Sequence, residues 1–259
     1  AGAVFLCVTG RRDGNVVGYL QEYGGYWTNS RIGEHVYHMY YNYRKEYLIT
    51  DYQSGGQSYG VNGRSVRLVH DTIVQKVEPE YVDLGLSVKW ATFNVGATSP
   101  EDYGDYFAWG ETETKETYSW ATYKWGTSSN LTKYNTTDGT TILDPEDDAA
   151  QVHWGGKWRM PTKEELTELR LSCTWEWITI NGITGNKVTG PNGNHIFLPA
   201  AGYRYEETLN FDGYYGGYWS STPDETDNDY AHYLGFDDKE QRVNSYYRSD
   251  GQSVRAVIE

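Results

Sequence analysis

Apolar and polar residues alternate from Tyr81 through Leu84, Leu86, Val88 and Trp90 to Thr92, and that period of two predicts an opening strand or hairpin. From Asn94 to about Leu143 the chain is dense in Gly, Thr, Tyr and Trp and holds no sustained period, so it reads as loops. The helical signals come next. Asp144-Pro145-Glu146-Asp147 sets a capping side chain before a proline at the first helical position, and Gly155 closes the helix. Thr162-Lys163-Glu164-Glu165 is a capping box, with Leu166, Leu169 and Cys173 spaced to make one buried stripe. Strands resume at Ile196. Asp229 to Phe236 and Gln241 to Tyr247 flank the short turn Asp237-Asp238-Lys239 at hairpin spacing, and Ser253 to Ile258 reads as the last strand. A strand, two helices and a run of antiparallel strands predict an α+β fold.

The chain also repeats itself. Tyr23-Gly24-Gly25-Tyr26-Trp27 recurs as Tyr215-Gly216-Gly217-Tyr218-Trp219, and Ser65-Val66-Arg67 recurs as Ser253-Val254-Arg255. Upstream, Val4-Phe5-Leu6, Gly10 and Arg12 align without gaps with Ile196-Phe197-Leu198, Gly202 and Arg204. Such self-similarity predicts two related folding units. Over a hundred residues precede the second copy and almost none precede the first. Residues 1–70 therefore read as the C-terminal half of a module, 71–80 as a linker closed by Pro79, and 81–259 as a complete module. The missing half of the first module is expected from an upstream module or a partner chain.

Composition sharpens this picture. Among 259 residues there are 25 Tyr, 10 Trp and 29 Gly but only 2 Met, which suits short strands and tight turns rather than a helical bundle. Tyrosine joins a flat apolar face to a polar tip and builds recognition surface at low entropic cost. The formal net charge is -14, and residues 1–75 hold 7 Lys/Arg against 6 Asp/Glu, so the rest carries nearly all of the excess. Nucleic acid is excluded as a partner class, because it needs a basic footprint. No apolar run approaches the roughly 20 residues of a membrane span. Cys7 and Cys173 fall in different units and form no metal-ligand spacing, so both read as buried thiols.

Several ordered motifs resemble the Fibrobacter succinogenes major paralogous domain family. They are Val82-Asp83-Leu84-Gly85-Leu86-Ser87-Val88-Lys89-Trp90-Ala91, Asn94-Val95-Gly96-Ala97, Pro100 to Glu111, Trp158-Arg159-Met160-Pro161-Thr162, Phe197-Leu198-Pro199-Ala200-Ala201-Gly202, Tyr218-Trp219-Ser220-Ser221 and the closing Ser253-Val254-Arg255. The resemblance implies a C-type lectin-like fold in which the first and last strands meet and two helices flank a small sheet. It also implies a setting in secreted and surface proteins of Bacteroidetes. The variable proteins of diversity-generating retroelements share that fold and enrich their binding faces in Tyr, Asn, Asp, Ser and His, as residues 28–62 and 220–250 do; composition does not separate that origin from ordinary aromatic strands. Formylglycine-generating enzymes share it too. Their chemistry needs a cysteine pair in the C-terminal half, and no cysteine follows Cys173.

These readings point to a non-catalytic, adhesin-like binding protein, secreted or on a cell surface, that recognises a glycan or a surface protein. The candidate ligand-binding residues are Asp227, Asn228, Tyr230, His232, Asp237, Asn244, Tyr246, Tyr247, Arg248 and Asp250, with Tyr37, Tyr41 and Tyr43 in the first unit. Aromatic faces stack on a sugar or a side chain while Asp and Asn take its hydrogen bonds. Arg67 and Arg255, inside apolar strands, read as structural groups, either in a buried ion pair or bonded to backbone, rather than as ligand contacts. Asp224 to Asp229 supplies hard oxygens without an EF-hand spacing, and reads as a solvated acidic turn. No metal and no cofactor are expected. The alternative function is a structural repeat module of a larger surface or fimbria-like protein.

Overall fold

The computed structural model describes residues 79–135 and 137–259 in full, and of the earlier residues the strands alone. The chain forms two compact units, Ala1–Lys76 and Val77–Glu259. In the first, β1 (Arg11–Asp13) pairs with β2 (Val16–Gly18), and β3 (Tyr23–Ile32), β4 (His35–Asn42) and β5 (Tyr47–Asp51) form an antiparallel sheet in that order.

The second unit is mixed and strand-rich. β6 (Tyr81–Val82) pairs with β7 (Lys89–Ala91), and β7 pairs on its other edge with the last strand, so both ends of the unit share one small sheet. Among the described residues between β7 and Asp144, the only paired strands are the hairpin of β8 (Gly126–Thr127) and β9 (Asn130–Leu131). It is pinned by aromatic side chains whose polar tips reach backbone carbonyls. Trp109 Nε1 donates to Ser220 O at 2.8 Å, Tyr106 Oη to Ala201 O at 2.6 Å and Tyr123 Oη to Trp109 O at 2.7 Å. Each ring is buried and its one polar atom satisfied, which is what lets a loop serve as core.

The first helix begins later than its sequence signal. Pro145–Asp147 is a single 3-10 turn, and α1 (Ala149–Trp154) starts after Asp148, whose carboxylate caps Gln151 N at 3.0 Å. Asp144 is held elsewhere, paired with Lys133 at 2.5 Å. The second, α2 (Lys163–Ser172), carries the full Thr162/Glu165 capping box and buries Leu166 and Leu169. Then come β10 (Thr174–Ile180), β11 (Ile183–Thr189) and β12 (His195–Pro199) in one sheet, and β13 (Tyr203–Tyr205) with β14 (Thr208–Asn210) as a hairpin. A three-stranded sheet follows: β15 (Gly216–Pro223), β16 (Tyr230–Phe236) and β17 (Gln241–Tyr247). Ser253 to Ile258 is not one strand. Ser253 bridges Tyr218, and only β18 (Val257–Ile258) pairs with β7.

The two units share their registers. Arg11 opposes Gly18 as Tyr203 opposes Asn210, Gly25 opposes Tyr40 as Gly217 opposes Gly235, and a register shift follows both Trp27 and Trp219. The sequence repeat is thus a repeat of backbone pairing.

Arg255 ties the second unit together. Its guanidinium, 1 % exposed, donates to Asn94 Oδ1 at 2.8 Å and to the carbonyls of Ala91, Thr92 and Phe197 at 3.1, 3.0 and 2.9 Å. Burial lowers its pKa to about 10. Cys173 is half-buried, and burial raises its thiol to about 11; Cys7 lies outside the described residues. Among the described residues no helix is long and apolar enough to cross a membrane.

Candidate functional site

Residues directly opposed in an antiparallel pair share a face, so the registers of β15, β16 and β17 sort their side chains into two sets. Tyr218, Leu234, Phe236 and Val243 lie on one face and pack with Leu166 and Leu169 of α2. Trp219, Tyr233, Tyr246, Asn244 and Arg242 lie on the other, together with Gly217 and Gly235. On that second face the sheet opens into a cavity of about 400 Å³.

Six rings form its wall: Tyr203, Phe211, Tyr214, Tyr215, Tyr233 and Tyr246. Tyr203 stacks on Phe211 with centroids 6.0 Å apart and meets Tyr246 edge-on at 5.6 Å, and Tyr246 lies 5.6 Å from Tyr233. Tyr215 Oη donates to Tyr233 Oη at 2.9 Å. Burial raises the pKa of Tyr215 and of Tyr246, with the neighbouring hydroxyls of Tyr233 and Tyr203 adding to it, so both phenols stay protonated at neutral pH.

The rim departs from ordinary packing. Phe211 sits at φ 58, a conformation unusual for a bulky residue, and its carbonyl accepts from Tyr214 N at 3.0 Å and Tyr215 N at 2.9 Å. This turn holds Phe211 61 % and Tyr214 76 % exposed. Neither ring belongs to the core, and both border the cavity.

Three polar groups complete the lining: Asp237, Arg242 and Gln252. Asp237 accepts from Lys239 N at 2.8 Å and Glu240 N at 3.0 Å; against the opposing effect of burial, these bonds and the nearby Arg242 hold its carboxyl below the usual range. Arg242 stands opposite Gly235 and forms an exposed pair with Glu240 at 3.2 Å. Gln252 is 1 % exposed, its backbone locked to Phe107 in both directions at 3.0 Å, yet its Oε1 has no hydrogen-bond partner. A buried amide oxygen left unpaired is uncommon in a folded protein.

The candidate residues are distributed over several environments. Tyr246 and Asp237 line the cavity, and Asn244 is exposed on the same face beyond it. Tyr230, His232 and Tyr247 point to the opposite face, because their register is one residue out of step. There Tyr230 and Tyr247 stack at 4.6 Å, and the hydrogen bond between them raises Tyr230 to about 12. His232 Nε2 lies 3.0 Å from Glu225, which also pairs with Lys163; these contacts, Lys163 foremost, hold Glu225 at about 2.

Asp227 caps its own loop through Asp229 N at 3.0 Å, and Asn228 borders a separate depression beside Tyr134 and Thr141. Arg248 and Asp250, placed on the binding face by sequence, are buried instead. Arg248 donates to Tyr230 O at 2.8 Å and Tyr134 O at 2.7 Å and lies over the Trp109 ring, so it is a structural strut. The chain turns inward after β17, which carries Asp250 with it. Tyr37 and Tyr41 lie on β4, and Tyr43 is outside the described residues.

Tyr203, Phe211, Tyr214, Tyr215, Tyr233, Arg242 and Gln252 were not legible as one site. The available signal was parity: with Gly217 set opposite Gly235, Tyr233 and Tyr246 fall on the glycine face and Tyr247 does not.

A family model described as a domain of unknown function (DUF8237) matches residues 178–257. That span contains every residue that lines the cavity. No curated protein and no solved structure matches the chain.

Proposed function

We propose that this chain is a non-catalytic recognition protein of C-type lectin-like architecture, secreted or displayed at a cell surface, that takes its ligand at the aromatic cavity of the β15–β17 sheet. One observation carries the reading. On a sheet whose other face is packed against a helix, six rings with Asp237, Arg242 and Gln252 line an open space, and two of the rings are held out by a strained turn. A largely preformed concavity with aromatic walls and few polar groups is the usual form of a ligand site. His232 is engaged by Glu225, and the wall holds no His, Cys or Ser, which supports binding rather than group transfer.

An array of glycans and of host and bacterial surface proteins tests this, probed with the wild type and with Tyr214→Ala. Binding that weakens in the variant supports the reading, and a wild type that binds nothing on the array overturns it.

The repeated registers of the two units favour a second reading, a structural repeat of a longer surface or fimbria-like protein. Sedimentation over a range of concentrations separates them. Self-association abolished by Tyr214→Ala favours the structural role, and a concentration-independent monomer favours recognition.

A further inference from the structure

We infer that the bare edge of β10 is a self-pairing surface, and that two copies of this chain join there, β10 against β10, antiparallel about a twofold axis at Trp177. This goes beyond the recognition reading and does not rest on it.

The hairpin fixes which backbone groups are left over. β10 closes on β11 through the two-residue turn Asn181-Gly182, so Ile180 and Ile183 form the first hydrogen-bonded pair and every second pair beyond it is bonded likewise. The N–H and C=O groups of Trp175, Trp177 and Thr179 therefore point away from β11, where β10 is the end of its sheet. Among the described residues none of these six groups has a hydrogen-bond partner.

The β12 and β17 edges are partly taken up. On β12, Arg255 and Tyr218 donate to the carbonyls of Phe197 and Pro199 at 2.9 and 2.7 Å. On β17, the amide of Ser245 donates to Asn244 Oδ1 at 2.9 Å, beside the exposed Arg242. β10 has little of what keeps an edge from pairing. Thr174–Ile180 holds no Pro and no Lys, and its seven residues run without a register shift.

The occupant follows from the strand itself. A net charge of -14 opposes self-association, so two copies meet best where local charge cancels, and the one charge on β10, Glu176, stands opposite Lys187 of β11. Centred on Trp177, the antiparallel pair uses all six groups of each copy: Trp177 faces the same residue of the other copy, and Trp175 faces Thr179. Glu176 then faces Ile178. Centred on Glu176, the pair would set two carboxylates directly opposite, which is destabilising, and leave Thr179 over. Centred on Ile178, it would leave Trp175 over. Trp175 and Trp177 are half-buried at the margin of the core, 5.9 and 6.4 Å from Phe236, and the pairing extends that apolar layer from one copy into the next. A twofold axis closes at two copies. No residue of β10 lines the aromatic cavity, so both cavities stay open and the pair is bivalent.

Sedimentation equilibrium of the full chain, from micromolar to sub-millimolar concentration, tests this. A concentration-dependent dimer is expected. Thr179→Pro removes an outward N–H at an exposed position and spares the β10–β11 ladder, and it should weaken the dimer at least about tenfold through the two bonds it deletes. The register supplies a second set of variants, because Thr174 and Ile180 are exposed and face each other across the axis. Thr174→Lys with Ile180→Lys should abolish the dimer, and Thr174→Glu with Ile180→Lys should form it again. Should Thr179→Pro fail to fold, this set decides alone. Tyr214→Ala should leave the dimer unchanged. Hydrogen exchange should slow with concentration at the amides of Trp175, Trp177 and Thr179 and stay constant at Glu176 and Ile178.

A monomer at every concentration overturns the inference. So does a dimer indifferent to both Thr179→Pro and the lysine pair, or one that Tyr214→Ala abolishes. Array binding by a chain that stays monomeric leaves the recognition reading standing while this inference falls, and a β10 dimer that binds nothing on the array does the reverse.

Discussion

Gly217 and Gly235 stand directly opposite each other on β15 and β16, and each makes room for a polar group of the cavity wall. A β-carbon on Gly217 would collide with Gln252 Oε1, and one on Gly235 with the hydroxyl of Tyr215 and, at 3.0 Å, with the Tyr233 ring. The pair therefore acts as a spacer in the sheet. Side chains at those positions would fill the space that the rings surround.

Gly235→Ala is accordingly expected to push Tyr215 away and break its bond to Tyr233. Overpacking of this kind costs about 1–3 kcal/mol. Urea unfolding should show that loss with an unchanged slope, and ligand binding should weaken in parallel. A variant as stable as the wild type would mean that Tyr215 has other room.

Arg255 gives a second prediction. Its fork reaches four acceptors from two segments, Asn94 with the carbonyls of Ala91 and Thr92 in one and the carbonyl of Phe197 in the other. A lysine is a point charge on a flexible stem and cannot span them. Arg255→Lys should lose about 2 kcal/mol or more, because acceptors left unpaired inside keep their desolvation cost. Thermal and urea unfolding of residues 77–259 check this, and a loss below about 0.5 kcal/mol, the range of ordinary surface changes, would contradict it.

Local signals with one meaning were legible in sequence. The capping box at Thr162 and the hairpin turn after Phe236 both rest on short-range chemistry. The β10–β11 hairpin was missed, since strands were expected to resume only at Ile196; its signals were the alternation of Trp175 and Trp177 and the turn at Asn181-Gly182, where both residues have positive φ. The helix start at Asp144 was misread because a tertiary contact, Lys133, competes for that carboxylate. The site was the least legible part. Tyr246 and Tyr247 are adjacent and chemically alike, and only the register with Ala231 and Tyr230 separates the cavity face from the opposite one. Tyr203 and Phe211 join that cavity from a different hairpin and turn, at a distance no single-strand pattern reports.

Calcium is expected to be dispensable. In the acidic loop, Asp224 Oδ1 accepts from Thr226 N, Thr226 Oγ1 and Asp227 N at 2.8, 2.7 and 3.1 Å, and against the opposing effect of burial these bonds hold it at about 2. Glu225 is engaged by Lys163 and His232. The oxygens are turned to internal partners, and among the described residues none cluster for a metal. Melting curves with millimolar calcium and with chelator should superimpose; a rise with calcium that Asp227→Ala removes would show a site, since binding only to the native state stabilises it.

The last prediction concerns pH. Asp250 is 3 % exposed and has no ion pair among the described residues; burial raises its pKa to about 7, opposed by a bond from Ser249 Oγ at 3.3 Å and reinforced by Glu206. The folded state thus holds this proton more tightly than the unfolded chain, whose Asp titrates near its ordinary value. The stabilisation is fully present below about pH 4 and is lost as pH rises toward 7. Its upper bound is about 4 kcal/mol, since each tenfold change in proton affinity is about 1.4 kcal/mol. Asp224 and Glu225 act in the opposite sense, because their folded values are near 2, and their contribution is lost as pH falls below about 4. Asp250→Asn keeps the shape and removes the titration. The wild type should therefore melt higher at pH 5 than at pH 7.5, while the variant should show a flatter profile and melt above the wild type at pH 7.5. Parallel profiles for the two proteins would show that Asp250 is already ionised and satisfied at neutral pH.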